Sequence, residues 1–335
     1  THMTRHWTPY PAILKRSGDE SFIDGVNHLV WHTFTCSPKT FGKPGSEYFA
    51  GTHINPNVTW FEQAAPFMTY LGRCQHMLRQ GLFVADVCAY VGDVPYQHWG
   101  RFVTNWSEKA TLALPPGYGY DVVNNEVLLE RLTAKDGRLA LPDGMSYAVL
   151  AVDPDDAYMS PAVLRKIAEL KAAGVSVVFG SRRPRRATNA VSAADEVGAL
   201  AEAVWSGSPT LAAALKAKGI APDFEGPFEY THRRDGGTDI YFVAGAGKAE
   251  CVFRVSGKQP EQWDAVSGRI EAVPFETTDD GRTRLTLDLP EHGSVFVVFR
   301  EENAQRATRN AQRATLNLKS EVIELPGSWE VSFQA

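Results

Sequence analysis

The order of apolar and polar positions changes period along the chain. Residues 26–34, VNHLVWHTF, are mostly apolar, β-branched or aromatic and predict a strand. The 35–57 loop that follows is too long for a simple connector, a length that marks functional or disordered segments. Thr59-Trp-Phe-Glu62 is a capping-box pattern, in which the Thr hydroxyl takes an early helical N–H and the Glu reaches back. Trp60, Ala64, Phe67, Met68, Leu71, Cys74 and Leu78 then recur at helical spacing, and Gly81 supplies the stop. LFVADVCAYV, 82–91, is a continuous apolar run that suits a parallel strand covered on both faces.

The pattern then repeats. YDVVN (120–124) predicts a strand, NEVLLERL (125–132) a short helix, and AKDGRLALPDG (134–144) a hairpin with two Asp-Gly turn signals. YAVLAVDP (147–154) and VSVVFG (175–180) predict buried strands. Between them Ser160 caps, Pro161 opens and Gly174 ends a helix. Two further helices are predicted near 193–206 and 210–218. Alternating strands and helices predict a doubly wound parallel sheet.

After Pro227 the period falls to two. FEYTHRR, TDIYFVAG, AECVFRV, GRIEAVPFE, RTRLTLDL and GSVFVVFR predict short antiparallel strands forming a small sandwich. NAQRATRNAQRAT, 303–315, repeats every seven residues but is too short and polar for a coiled coil.

Composition narrows the function classes. Of 335 residues, 44% are hydrophobic and 22% charged, as in ordinary globular domains. A net charge of −5 with no long basic run argues against nucleic acid as a partner. No apolar run approaches the ~18 residues of a membrane helix. Four scattered cysteines, Cys36, Cys74, Cys88 and Cys251, give no zinc spacing and no disulfide framework. There is no G-x-S-x-G elbow and no dinucleotide fingerprint, and GAGKAE (245–250) lacks full phosphate-loop spacing.

The stretches GVNHLVWH, GTHINPNVTWFEQAAPFMTYLGRCQHMLRQGLFVADVCAYVGDVP, LPDGMSYAVLAV, THRRDGGTDIYFVA, QWDAVSGRI and GSVFVVFR together resemble glycoside hydrolase family 106, the α-L-rhamnosidases. The similarity runs in order through most of residues 7–333. The resemblance implies a longer enzyme with a (β/α)8-type barrel, an α/β domain and β-sandwich modules, inverting chemistry on paired carboxylates, and calcium-dependent site chemistry. It places residues 26–34 near the last barrel strand. The family's catalytic glutamates lie on earlier strands and are expected outside this chain, and GSWEVSF resembles the opening of a further sandwich. The expected layout is a barrel-end remnant and loop at 1–58, a flavodoxin-like three-layer α/β domain at 59–225, a small antiparallel β-sandwich at 226–302, and a linker with the start of another β module at 303–335. Residues 20–40, as a remnant, are expected to pair with the α/β sheet or another copy, or to lack order.

Two carboxylates are candidates for the chemistry. Glu47 is the loop's only acid and reads either as catalytic or as a solvated loop residue; Glu62 reads as catalytic or as a helix cap. Trp31, His32, His53 and Trp60 are candidate sugar contacts, with core packing as the alternative. Asp19, Glu20 and Asp24 read as surface residues. A second cluster comprises Asp86, Asp93, Tyr118, Tyr120, Asp121, Asn124 and Asn125. Within it Asp93 and Asn124 sit at predicted strand ends, where open α/β sheets bind ligands, though Asn124 or Asn125 also serves as a helix cap. Asp153, Asp155 and Asp156 supply oxygen ligands suited to calcium, but without EF-hand spacing, and read first as a solvated acidic loop. No metal ligand set follows. The expected function is glycoside hydrolysis of plant or microbial glycans, the isolated chain being weak or inactive; the alternative is a non-catalytic carbohydrate-binding or scaffolding module. A homo-oligomer through exposed strand edges, and periplasmic or cytoplasmic location, stay open.

Overall fold

Pro11 opens helix α1, Pro11–Ile23, where its missing N–H costs no hydrogen bond. The computed structural model describes residues 6–32, 34–49, 51–52, 54–93, 111–154, 157–188, 194–205 and 208–301. Helix α1 was not foreseen. It buries Gly18, Asp19 and Phe22, so Asp19 is a core residue and not the surface acid expected. Lys15 Nζ meets Asp19 Oδ2 at 2.6 Å, and the Tyr70 hydroxyl meets the other carboxylate oxygen. Burial raises the Asp19 pKa, and Lys15 works against it.

The strand expected at 26–34 does not form among the described residues of that stretch. Val26 N–H bonds to Ser21 O at 3.0 Å and Leu29 N–H to Gln75 Oε1 at 2.8 Å, so this backbone is held by α1 and by a helix side chain. One parallel bridge, Phe34 to Ile54, is the β pairing among the described residues of this region. Nor does the helix begin at residue 60. Phe61–Gln63 is a 3₁₀ turn, and helix α2 spans Ala65–Met77. The physical reason is Pro66 at its first turn: a helix running through 60–66 would need a Pro66 N–H to bond Glu62 O, and proline has none.

The apolar run 82–91 divides in two. Leu82–Phe83 pairs antiparallel with Arg233 and Arg234, while β1, Val87–Tyr90, enters a parallel sheet. Its other members are β2 (Tyr120–Val123), β3 (Val149–Val152) and β4 (Ser176–Phe179), in the order β2-β1-β3-β4. All residues of β1 and β3 are buried, as a strand covered on both faces requires. Helix α3, Pro161–Ala172, is capped by Ser160, whose Oγ accepts from Val163 N. With Val163, Leu164, Ile167 and Leu170 it covers one face of the sheet, together with helix α4, Ala194–Val204. Helix α5, Leu211–Ala217, covers the other face through Leu211, Ala214 and Leu215. Each fully buried Leu or Ile contributes about 1.5–3 kcal/mol.

The strands after residue 223 form an antiparallel sheet that includes β5 (Glu229–Asp235), β6 (Thr238–Phe253), β7 (Gln259–Trp263) and β8 (Thr283–Arg300). Gly236 and Gly237 join β5 to β6 in a two-residue hairpin, the turn that Asp-Gly-Gly predicts. The short strands expected here fuse pairwise into β6, of 16 residues, and β8, of 18. Both bend together: the register slips between Gly245 and Gly247, opposite Leu289 and Gly293. The bend is sharp, because the Tyr241 and Phe253 rings, twelve positions apart on β6, meet at 4.9 Å. A straight strand would hold them about 40 Å apart. Tyr241, Val243, Cys251, Phe253, Leu287 and Val297 fill the space so enclosed. On the opposite face Ile240, Phe242, Phe296 and Val298 pack against Phe22 of α1 and Phe67, Leu71 and Cys74 of α2. The chain is therefore α/β, its two main sheets being one parallel and one antiparallel, beside a small antiparallel sheet at 133–147 and a two-stranded parallel pair among the described residues. No described helix is long and apolar enough to cross a membrane.

Candidate functional site

The 31–54 loop folds back on the residues before α1. Trp7 Nε1 donates to Glu47 Oε1 at 2.8 Å, and His6 Nε2 lies 3.9 Å from Glu47 Oε2. Thr52 ties the cluster: its carbonyl accepts from Trp7 N–H at 3.3 Å, and its hydroxyl contacts His6 Nδ1 at 3.2 Å and Tyr48 N–H at 3.3 Å. His32 Nε2 and the Tyr48 hydroxyl are 3.0 Å apart, with the rings edge to face. Thr52 thus links two sets of contacts, Glu47 with Trp7 and His6, and Tyr48 with His32. Phe49, 83% exposed, packs on the Tyr48 ring at 4.6 Å, while Trp31 and Phe34, 40% and 58% exposed, lean on Phe67 and Phe61. Exposed aromatics beside hydrogen-bonding groups match the two faces of a sugar ring, whose C–H side is apolar and whose hydroxyls are not.

The structure joins His32 to Tyr48 and Glu47 to Trp7 and His6, and leaves Glu62 apart. Glu62 is exposed on the 3₁₀ turn, and no hydrogen bond joins it to Thr59, so the capping box is not made. Trp60 donates its indole N–H to Pro9 O at 2.9 Å, and Trp31 and Trp60 each meet the Phe67 ring edge at 6.3 Å. Packing accounts for Trp60, whereas Trp31 keeps an open face. His53 lies outside the described residues.

At the carboxyl ends of the parallel strands, Asp93 Oδ2 accepts from Ser160 N–H at 2.6 Å, and the Tyr90 hydroxyl lies against Asp93 and, at 2.7 Å, against Asn125 Oδ1. Burial, then the bond to Asp93, pushes the Tyr90 phenol far up in pKa. Asn124 Oδ1 accepts from Val127 N–H at 2.9 Å, the cap expected of it, at the start of a short π-helical turn. Asp153 has both oxygens engaged: Thr111 N–H at 2.6 Å, Leu112 N–H at 2.9 Å and Thr111 Oγ1 at 2.7 Å, with Arg182 Nη2 at 3.7 Å. A carboxylate saturated by N–H and O–H donors beside a guanidinium does not fit a calcium ligand. Asp155 and Asp156 lie outside the described residues. No group of three or more His, Cys, Asp or Glu side chains among the described residues is placed to hold a metal ion.

One buried network escaped the sequence reading. His232 sits between Asp223, 3.0 Å from Nδ1, and Asp239, 3.0 Å from Nε2. Arg234 and Lys258 both reach Asp239 at 2.6 Å, while Arg254 bridges Asp223 at 3.2 Å and Asp86 at 3.0 Å. Burial alone would lower the His232 pKa, but the two flanking carboxylates prevail and raise it. Asp223 and Asp239 are lowered despite burial, chiefly by His232 and, for Asp239, by Lys258. His232 and Tyr241 stack at 3.9 Å, and the Tyr241 hydroxyl meets Asp223 at 3.0 Å. With these partners satisfied and His232 out of solvent, the network is a clamp between the sheets. The signal available was the density of charge in THRRDGGTD on an otherwise apolar strand pair.

Comparison with known proteins adds the following. The family profile described as alpha-L-rhamnosidase, glycoside hydrolase family 106, matches residues 1–277. A curated protein of Formosa agariphila named "Putative beta-glucuronidase" is 31% identical over 321 residues, covering 90% of this chain and 26% of its own length. The solved structure of a rhamnosidase from Novosphingobium sp. PP1Y superposes with a TM-score of 0.74 at 30% identity, covering 89% of this chain and 30% of that one. The chain thus spans between a quarter and a third of the length of these two relatives.

Proposed function

Because the chain belongs to glycoside hydrolase family 106, the α-L-rhamnosidases, we propose that it takes part in hydrolysing glycosidic bonds of plant or microbial glycans, with an α-L-rhamnoside as substrate class. The observation that carries the site is the exposed loop on which Glu47 accepts from Trp7, its neighbour Tyr48 meets His32, and the exposed Phe49 ring packs on Tyr48. In this reading Glu47 accepts hydrogen bonds from sugar hydroxyls, Tyr48 and His32 fix the ring's orientation, and the aromatic side chains cover its apolar face.

Inverting hydrolysis needs a general acid and a general base about 6.5–9.5 Å apart. Glu47 is the only carboxylate of the 35–57 loop. Its partner in such a pair has to come from another segment, and Glu62, pointing to solvent, is a poor candidate. That single carboxylate also supports a second reading, a non-catalytic carbohydrate-binding or scaffolding module.

The helices on both faces of the parallel sheet support a flavodoxin-like three-layer domain at 59–225, and the bend in β6 and β8 supports a small sandwich at 226–302. Residues 1–58 are read as the end of a barrel. A panel of nitrophenyl glycosides tests the activity. Turnover of the α-L-rhamnoside that falls in Glu47→Gln but not in Glu62→Gln supports the hydrolase. Sugar binding without turnover on any substrate supports the module.

A further inference from the structure

A cleft of 520 Å³ lies between α2 and the hairpin that joins β7 to the strand Ile270–Ala272. Among the described residues it shares no lining with the 31–54 loop. We propose that it is a separate binding site for a small aromatic carboxylic acid. Its size falls within the range of small-molecule clefts, about 300–1,000 Å³.

The floor is aromatic. Trp263 of β7 and Phe296 of β8 are cross-strand partners, so both stand on one face of the sheet, the face that α2 packs against. Trp263 is fixed there: its indole N–H donates to Glu261 Oε2 at 3.0 Å, and the Arg300 guanidinium lies over its ring at 4.6 Å. Above this floor α2 carries Gly72, where an added Cβ would meet nothing within 4 Å. Any other residue but proline would favour the helix more and would narrow the cleft.

The polar groups of the lining select an anion. Arg73 Nη1 donates to Ala265 O at 3.0 Å and to Val266 O at 2.9 Å, which ties α2 to the hairpin and immobilises the guanidinium. The guanidinium lies against Gly268, where φ is +79° and an added Cβ would sit 2.7 Å from Nη2. Among the described residues Nε and Nη2 have no partner, so their N–H groups are left for a ligand. His76, three positions on along the same helix face, adds a further N–H donor. The acid of the lining, Asp264, is turned into its own hairpin. It accepts from Val266 N–H at 2.8 Å, from Ser267 N–H at 3.3 Å and from the Ser267 hydroxyl. Donors are open and the carboxylate is spent, beside a flat apolar floor. A sugar fits less well, because its hydroxyls need acceptors as well as donors.

The inference is independent of the hydrolase reading. Benzoate and trans-cinnamate are titrated calorimetrically into the protein, with benzyl alcohol and acetate as controls that lack the charge and the ring. The aromatic acids are expected to bind, and each control to bind at least about tenfold more weakly. Gly72→Leu fills the opening without touching the bonds of Arg73. It should remove binding while the melting temperature stays level or rises. Arg73→Lys keeps a charge but loses the planar fork, and should weaken binding about tenfold. Should Arg73→Lys loosen the hairpin, Gly72→Leu still decides. No binding of either acid, benzyl alcohol binding as tightly as cinnamate, or binding unchanged in Gly72→Leu overturns the proposal.

Discussion

Arg254 Nη2 meets Asp86 at 3.0 Å, and this contact ties the end of β6 to the residue that leads into the parallel strand β1. The same nitrogen lies 3.2 Å from Asp223, itself a partner of His232. Two sheets of different type are therefore joined by a chain of buried charges, in which each member is satisfied by the next. Buried ion pairs add little net stability over an apolar contact, but removing one partner strands the others.

Asp223→Ala is accordingly expected to cost about 3–5 kcal/mol, because it leaves His232, Arg254 and the Tyr241 hydroxyl without their shared acceptor. Urea denaturation measures this directly. A loss below about 1 kcal/mol would show that water or rearrangement replaces the carboxylate.

The network also sets a pH profile. His232 is raised above 6.5 in the folded state, so its contribution is fully present below pH 6.5 and is lost as pH rises through the raised value. Asp223 and Asp239 are depressed below 3.8, so theirs is present above pH 3.8 and is lost as pH falls through the depressed values. Stability from this cluster should peak between those limits. His232→Gln should flatten the alkaline decline, read from melting temperature against pH; an unchanged alkaline slope would place its origin elsewhere.

Two glycines with the same φ of +53° separate crowding from backbone strain. At Gly81 an added Cβ would lie 2.0 Å from Arg234 O, where β5 crosses the chain; at Gly236, in the hairpin turn, nothing lies within 4 Å. Gly236→Ala should cost about 1–2 kcal/mol, from the left-handed conformation alone. Gly81→Ala should exceed it by at least about 2 kcal/mol and disturb the Leu82–Phe83 pairing. Equal losses in thermal melts would mean that the backbone yields at Gly81.

Ser160 makes two contacts of different kinds: its Oγ caps α3 through Val163 N–H, and its own N–H bonds to Asp93. Ser160→Ala removes only the first and should cost about 0.5–2 kcal/mol. Asp93→Ala removes the acceptor for both Ser160 N–H and Tyr90 and should cost more. The reverse order in denaturant midpoints would demote Asp93 to a bystander.

The pattern of apolar positions made the α/β alternation legible, because β1 and β3 are buried on both faces and α3 carries its own start and stop at Ser160, Pro161 and Gly174. It failed where a tertiary partner decides. Leu82–Phe83 is as apolar as β1, but its partner strand lies 150 residues onward at Arg233–Arg234, and no local period reports that. Helix α2 starts late because of Pro66, a signal that was present and outweighed by an attractive capping pattern. β6 and β8 read as four strands because glycines at their bends resemble turns; only long-range pairing carries each strand through. In the candidate site, Glu47 was visible as the one acid of its loop. Its partners, Trp7 and His6, lie forty residues before it and were not.

The central claim is that the Glu47 loop meets a sugar. Its most direct test is calorimetric titration of methyl α-L-rhamnoside into the protein with Glu47, with Glu47→Gln and with Glu62→Gln, at matched melting temperatures. The account predicts binding that survives Glu62→Gln and falls at least about tenfold in Glu47→Gln, the cost of one charge-assisted acceptor. Equal affinity across all three, or no rhamnoside binding in any, would contradict it.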